Sequence, residues 1–286
     1  MTHSNPQPFC PVLITNTPDI AVAAERAGVG RIMVDLERNG KFERQKMRDT
    51  WISQHQVEDI APVARALSRT ELMVRINPFH ERSAAEIDQA IQSGADCIML
   101  PMFHSAQEAN RIGAMIAGRC RFIPLVETAE AMAELEQLAR SAAVDEVFIG
   151  LNDLHMSLGL DFMFEPLGNG MLDIAAETLR ASGKPFGFGG IARLGEGDLP
   201  AEFIMRDHAR LGSTRVNLSR TFAHDGLEGG AVFEREVRAL LDVYDDALLA
   251  SAADLQNNHN EVKSRVRSIA ARIRTNQEHA QMSKQA

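Results

Sequence analysis

Cysteine is scarce in this chain, basic charge is not in excess, and no apolar run is long. Cys10, Cys97 and Cys120 are the only cysteines in 286 residues. Their spacing matches no metal-binding motif, and an odd number forms no closed disulfide framework. Cys97 and Cys120 lie in apolar, strand-like runs, where a buried free thiol is the expected state, and a reducing cytoplasm is the expected compartment. Lys and Arg number 30 against 39 Asp and Glu, a formal charge of −9, which gives nucleic acid no electrostatic hold. No apolar stretch approaches membrane-spanning length, so no membrane association is expected. The opening MTHSNPQPFCPV has no basic region followed by an apolar one, and is not expected to act as a secretory signal. Among the histidines, His55, His80, His104, His155, His208 and His224 are scattered, and no pair has a helical metal spacing.

What is present is enough to build a large core: 45% of the residues are hydrophobic. Residues 1–9 are polar and proline-containing, a poorly ordered lead-in. Strand-like and helix-like segments then alternate: strand Pro11–Thr15, helix Pro18–Ala27, strand Arg31–Leu36, and a polar stretch, Lys41–Gln56, expected to cover one end of the sheet. Helical Val57–Leu67, strand Glu71–Ile76, helical Ala84–Ser93, strand Asp96–Leu100 and helical Ala106–Ala117 follow, and the alternation runs on to a last strand at Thr214–Leu218. Eight such units in one domain predict a (β/α)8 TIM barrel over residues 10–251. A doubly wound open sheet competes less well, because no glycine-rich phosphate fingerprint follows the first strand. Residues 252–286 form a separate helical tail. There Val262, Val266, Ile269 and Ile273 mark a narrow apolar seam on a polar helix, suited to packing against another helix. That seam is expected to be a contact in a homo-oligomer.

The chain is organised around Phe122–Gly159. The apolar run Phe122–Val126 ends at Glu127, and the run Val147–Ile149 ends in Gly150-Leu151-Asn152-Asp153. Residues just past the carboxyl ends of neighbouring parallel strands share one mouth, so Glu127 and Asp153 are expected to face each other there. Two carboxylates so placed repel unless a cation lies between them, and all-oxygen ligation suits Mg²⁺ or Mn²⁺ better than zinc. Acids at strand ends also cap helices, and this alternative stays open on pattern alone. Arg75 ends the third strand, where a guanidinium suits a small oxyacid; a structural salt bridge is the plainer alternative. The N–H groups of the Gly150–Asp153 turn are candidates for a substrate carboxylate. Arg193 and Arg220 follow strands seven and eight, where barrels commonly bind phosphate. With Arg38 and Arg75 they would favour an anionic partner.

The segment resembles the HpcH/HpaI aldolase/citrate lyase family of the phosphoenolpyruvate/pyruvate superfamily. The resemblance rests on Glu127-Thr128-Ala129-Glu130-Ala131-Met132, on Phe148–Gly159, on Val74-Arg75 and on Leu100-Pro101-Met102. It implies that Glu127 and Asp153 bind a divalent metal, that Arg75 contacts keto-acid oxygens, and that amides near Asn152 and Asp153 hold the substrate carboxylate. It also implies a class II lyase or aldolase acting on a small 2-keto acid, in a homo-oligomer of two to six subunits that exchanges a C-terminal helix. An acyl-CoA lyase of the citrate-lyase type and a non-catalytic metal-binding homologue are the alternatives. The chain departs from the family after the second strand. The aldolase branch carries Asp-Gly-Glu-His there, its His serving as acid/base; this chain has Asp35-Leu36-Glu37-Arg38. Arg stays protonated and is a poor base. Glu37 would then orient metal-bound water, Asp35 would brace Arg38, and His155 is the first candidate for a replacement acid/base. A polar Gln of the aldolase branch is Leu125 here.

Overall fold

The computed structural model describes residues 8–38, 54–219, 221–222 and 230–285. Eight parallel strands close in sequence order: β1 (Cys10–Ile14), β2 (Arg31–Asp35), β3 (Glu71–Arg75), β4 (Cys97–Leu100), β5 (Arg121–Val126), β6 (Val147–Ile149), β7 (Phe186–Ile191) and β8 (Arg215–Leu218), with β8 paired back to β1. The period-two alternation of each strand decides which residues fill the barrel and which face the helices. In β2, Ile32 and Val34 join the outer core, while Met33 joins the inner one. The inner apolar layer is Val12, Met33, Met73, Cys97, Met99, Ile123, Leu125 and Phe148. Cys97 is buried as expected, but Cys120 is only half-buried.

The helices run outside the barrel: α1 (Pro18–Ala27), α2 (Ile60–Ala66, after a 3-10 turn Val57–Asp59), α3 (Ser83–Gln92), α4 (Ala106–Ile116), α5 (Ala129–Ala133), α6 (Leu135–Arg140), α7 (Leu151–Ser157), α8 (Glu165–Gly168), α9 (Met171–Ser182), α10 (Ala201–Leu211), α11 (Gly230–Leu249) and α12 (Ala252–Gln285). The segment 129–140 is two helices and not one, broken at Glu134, whose φ of −101° and ψ of 14° leave the helical region. The lead-in up to residue 7, most of the polar stretch Lys41–Gln56, Arg220 and His224 lie outside the described residues. No described helix is long and apolar enough to cross a membrane.

The tail packs along the barrel. Its seam is filled by the chain's own barrel: Val262, Val266 and Ile269 are buried where α12 packs along α8 and α10. Gly168 permits the approach, since a Cβ there would stand 2.8 Å from Val266 Cγ1. Around this seam, His259 Nδ1 meets Asp207 at 3.2 Å, Arg265 lies over the Phe203 ring, and Arg272 and Arg274 pair with Asp198 and Asp161. A narrow apolar stripe needs one apolar partner, and α8 and α10 supply it.

Candidate active site

The mouth lies at the carboxyl ends of the strands. Glu127 follows β5 directly and is buried. The helix after it is capped by the next residue, for Thr128 Oγ1 accepts the Ala131 N–H at 3.1 Å and donates to the Phe103 carbonyl at 2.8 Å. Capping therefore does not explain Glu127. Its Oε1 accepts the Met102 N–H at 3.0 Å. Met102 has a φ of 51°, a left-handed backbone that a residue with a side chain rarely adopts. Such local strain is typical of functional sites, and here it accompanies an amide aimed at the carboxylate. On the other side stands Gly150, where a Cβ would lie 2.8 Å from Glu127 Oε2. Gly150 has an ordinary φ of −84°; it is close approach that requires the glycine. Asp153 sits in the first turn of α7, which has no side-chain cap at Gly150.

Burial pushes the Glu127 carboxyl well above its ordinary range, and the charges of Asp153 and then Glu37 push it the same way, against Arg75 and the Met102 amide. An acid cluster of this kind is relieved by a cation. Its oxygens are hard donors that fit Mg²⁺ or Mn²⁺. Among the described residues no group of three or more His, Cys, Asp and Glu is arranged to hold a metal. Two carboxylates with the remaining positions left to water and substrate match Mg²⁺, which keeps several waters.

Arg75 is the counter-charge. Its Nε and Nη2 each lie 2.8 Å from an oxygen of Asp35, a bidentate pair, and Nε is 3.6 Å from Glu37 Oε2. Burial works against the guanidinium charge, but Asp35 and Glu37 hold it more strongly, so its pKa is raised. Asp35 thus braces Arg75 and not Arg38, contrary to the sequence expectation. The reason is register: Asp35 pairs with Arg75 across β2 and β3. The Arg38 guanidinium instead donates to the carbonyls of His55 at 2.9 Å and Gln54 at 3.4 Å, and its N–H donates to Asn77 Oδ1 at 2.9 Å. Arg193 donates to the Thr221 carbonyl. Two of the cations expected to attract an anionic partner are therefore bonded to main chain. His155, two positions along α7 from Asp153, is buried with Nδ1 on the Leu151 carbonyl at 3.1 Å.

Sequence reasoning passed over His55. Its Nδ1 accepts the N–H of Asp35 at 3.0 Å, placing the imidazole at the end of β2 beside the Asp35–Arg75 pair. That bond assigns the proton of the neutral ring to Nε2. The backbone around it is held by Arg38 and by the next residue, where Gln56 and Asp59 form a capping box and Asn16 Nδ2 donates to Asp59 at 2.8 Å. The available signal was position. A residue just ahead of the helix that follows a barrel strand must return to the mouth, however long the intervening loop.

The family model described as HpcH/HpaI aldolase/citrate lyase matches residues 12–194. Among curated proteins, the 2-keto-3-deoxy-L-rhamnonate aldolase of Salmonella gallinarum is 25% identical over 207 residues, covering 62% of this chain and 72% of the relative. An HpcH/HpaI aldolase/citrate lyase family protein from Burkholderia cenocepacia J2315 superposes with a TM-score of 0.60 at 19% identity, covering 81% of this chain and 95% of that one. Protein CitE from Mycobacterium tuberculosis, solved in complex with magnesium and pyruvate, superposes with a TM-score of 0.59 at 17% identity over 91% of this chain and 99% of that one.

Proposed function

The chain belongs to the HpcH/HpaI aldolase/citrate lyase family, and from that premise we propose that it is a divalent-metal-dependent carbon–carbon lyase acting on a 2-keto acid of the pyruvate type. The observation that carries the metal is the buried Glu127, crowded by Asp153 and Glu37 with Arg75 as the opposing cation. Glu127 and Asp153 would hold Mg²⁺ or Mn²⁺, which when bound supplies a Lewis acid for the negative charge of an enolate. Arg75, fixed in its bidentate pair with Asp35, would donate to the keto oxygen and share that charge. The amides of Asn152 and Asp153, in the first turn of α7, would receive the substrate carboxylate. Glu37 lies between Arg75 and Glu127 in effect, since both feel its charge.

His55 would take the place of the histidine that the Asp35-Leu36-Glu37-Arg38 run lacks, as a hydrogen-bond donor: its Nε2–H would stabilise alkoxide character on the oxygen of the second fragment. In cleavage the hydroxyl proton would pass to a water oriented by Glu37, and in condensation it would return from there. Arg38 would act through His55, holding the loop that carries it. Under this reading the non-catalytic alternative loses its support, which was the missing histidine.

Proton exchange at the pyruvate methyl group, followed by NMR in deuterated buffer with Mg²⁺ or Mn²⁺, tests the reading. Wild type is expected to exchange and Asp153→Asn is not. His55→Gln should keep exchange but lose about 10²–10³-fold in cleavage of a 4-hydroxy-2-keto acid. A wild-type protein that binds the metal and exchanges nothing would overturn the proposal.

A further inference from the structure

A polar group on the inner face of the barrel, outside the ion pairs, is not used by the chemistry above. Asn217 lies on β8 in register with Val12 of β1 and with Gly190 of β7. Val12 belongs to the inner apolar layer, and paired residues of parallel strands point to the same side of the sheet. Arg215, two positions earlier, also points inward, bonding Glu146 at 3.0 Å. Asn217 therefore points into the barrel, beneath the mouth. Met33, Met99 and Phe148, which fill the barrel from other strands, are sealed from solvent, whereas Asn217 is part-exposed. Its Oδ1 is nevertheless buried and has no hydrogen-bond partner among the described residues. A buried amide oxygen without a donor costs free energy unless something supplies one.

The strand beside it carries three glycines. Gly187, Gly189 and Gly190 belong to β7. Two of these glycines are required by the fold. A Cβ on Gly187 would lie 2.3 Å from Arg215 Cβ, and Gly189 has a φ of 66°. Gly190 is different: its φ is not in the left-handed range, and among the described residues the nearest atom to a Cβ there is the Asn217 carbonyl oxygen at 3.8 Å. Among these residues neither conformation nor packing demands a glycine at that position. Its effect is to keep open the space beside the Asn217 amide.

We infer that Asn217 and Gly190 form the subsite for the second fragment of the substrate, and that this fragment is a hydroxylated, uncharged one. The inference rests on the 2-keto-acid reading above. An amide offers one acceptor oxygen and two N–H donors, and a hydroxyl satisfies either kind. An ionised carboxylate or phosphate has no hydrogen to give to Oδ1. Of the four cations expected to attract such an anion, Arg38 and Arg193 donate to the carbonyls of His55 and Thr221 and Arg75 donates to Asp35, while Arg220 lies outside the described residues. A site built to hydrogen-bond a hydroxyl rejects the analogue that lacks it far better than an apolar pocket separates two alkyl chains.

The test uses three unreactive six-carbon probes that lack the C4 hydroxyl needed for cleavage: 2-ketohexanoate, 5-hydroxy-2-ketohexanoate and 2-ketoadipate. Each is titrated calorimetrically into the full chain with Mg²⁺. Wild type is expected to bind the hydroxylated acid about ten-fold more tightly than the other two, the effect of one good hydrogen bond. Asn217→Leu should erase that margin and leave 2-ketohexanoate within about two-fold of its wild-type affinity. Gly190→Val, checked for folding by circular dichroism, should erase the margin by filling the space. A margin that survives in Asn217→Leu, or a wild type that prefers 2-ketoadipate, would overturn the subsite. Failure of 2-ketohexanoate itself to bind wild type would overturn the 2-keto-acid reading and this inference with it.

Discussion

The barrel has an ionic layer at each end, and the two are built differently. At the amino-terminal end of the strands, Arg31 donates to both oxygens of Glu146, at 2.7 and 3.2 Å, and Arg215 donates to Oε2 at 3.0 Å. Glu71 joins Arg31 at 3.0 Å and also pairs with Arg121. Three guanidinium groups there face two carboxylates. At the mouth, four carboxylates (Asp35, Glu37, Glu127 and Asp153) face Arg75 among the described residues. Glu146 and Glu127 are both almost completely buried. Burial raises the pKa of each, yet Arg31 and Arg215 pull Glu146 below its ordinary range, while Asp153 and Glu37 push Glu127 further up. The same residue, equally removed from water, is a satisfied plug in one place and a charge in need of a cation in the other. Burial does not distinguish structure from function here; the balance of neighbouring charge does.

Glu→Gln at both positions breaks or sharpens that comparison. The larger effect is expected at Glu146, where Gln would leave Arg31 and Arg215 buried without their carboxylate and cost about 3–5 kcal/mol. Urea denaturation measures it. The pH dependence follows from the lowered pKa: the Glu146 contribution is present above the unfolded value and is lost as pH falls through the folded one. The variant should therefore lose less stability than wild type on acidification. A cost under about 1 kcal/mol would mean that the plug is as dispensable as a surface pair.

At Glu127 the sign reverses. Without metal, Glu127→Gln should stabilise the protein near neutral pH by about 1–3 kcal/mol, the usual cost of a buried polar group left unsatisfied. Here the folded pKa is raised, so the contribution is present below the unfolded value and is lost as pH rises through the folded one. Thermal scans without metal should show the gap between variant and wild type widening with pH, and calorimetry should show that the variant no longer binds Mg²⁺. If Glu127→Gln leaves metal-free stability unchanged across that range, the mouth is not acid-crowded and the comparison fails.

The sequence showed the barrel and most of the mouth for related physical reasons. Alternating apolar runs with charged residues at their ends mark both the strands and what stands at the carboxyl ends of the strands, so Glu127, Asp153 and Arg75 were legible. Partner choice was not. Asp35 lies three residues from Arg38 in sequence, but β-sheet register gives it to Arg75. His55 was hidden because its place depends on where a long loop returns, which no local pattern encodes. The Val262–Ile273 seam was read correctly as apolar, while its partner could only be seen once α8 and α10 stood side by side. Asn217 carried no motif at all. Its interest comes from an unoccupied acceptor and a neighbouring glycine, both properties of packing.

The smallest expected effect comes from the open edge of the amino-terminal layer, and it shows where that layer stops acting as a unit. Arg121 pairs with Glu71, but the two side chains are 41% and 33% exposed, against 1% and 3% for Arg31 and Glu146. Water screens the outer pair in a way it cannot screen the inner one. Arg121 also stands in the field of its neighbours: burial lowers its pKa, and Arg31 lowers it further, with Arg215 adding to them. Removing the charge thus loses attraction to Glu71 and relieves repulsion from two guanidinium groups, and the two changes offset each other. Glu71 keeps Arg31 as a partner in either case. Arg121→Gln should therefore change stability by no more than about 0.5–1 kcal/mol. Urea denaturation at low and high salt should shrink even that difference, because exposed pairs weaken as the Debye length shortens. A salt-independent loss above about 2 kcal/mol would contradict this, since that size belongs to buried pairs. It would make Arg121, Glu71, Arg31, Glu146 and Arg215 one cooperative network, with the boundary between plug and surface lying outside Arg121.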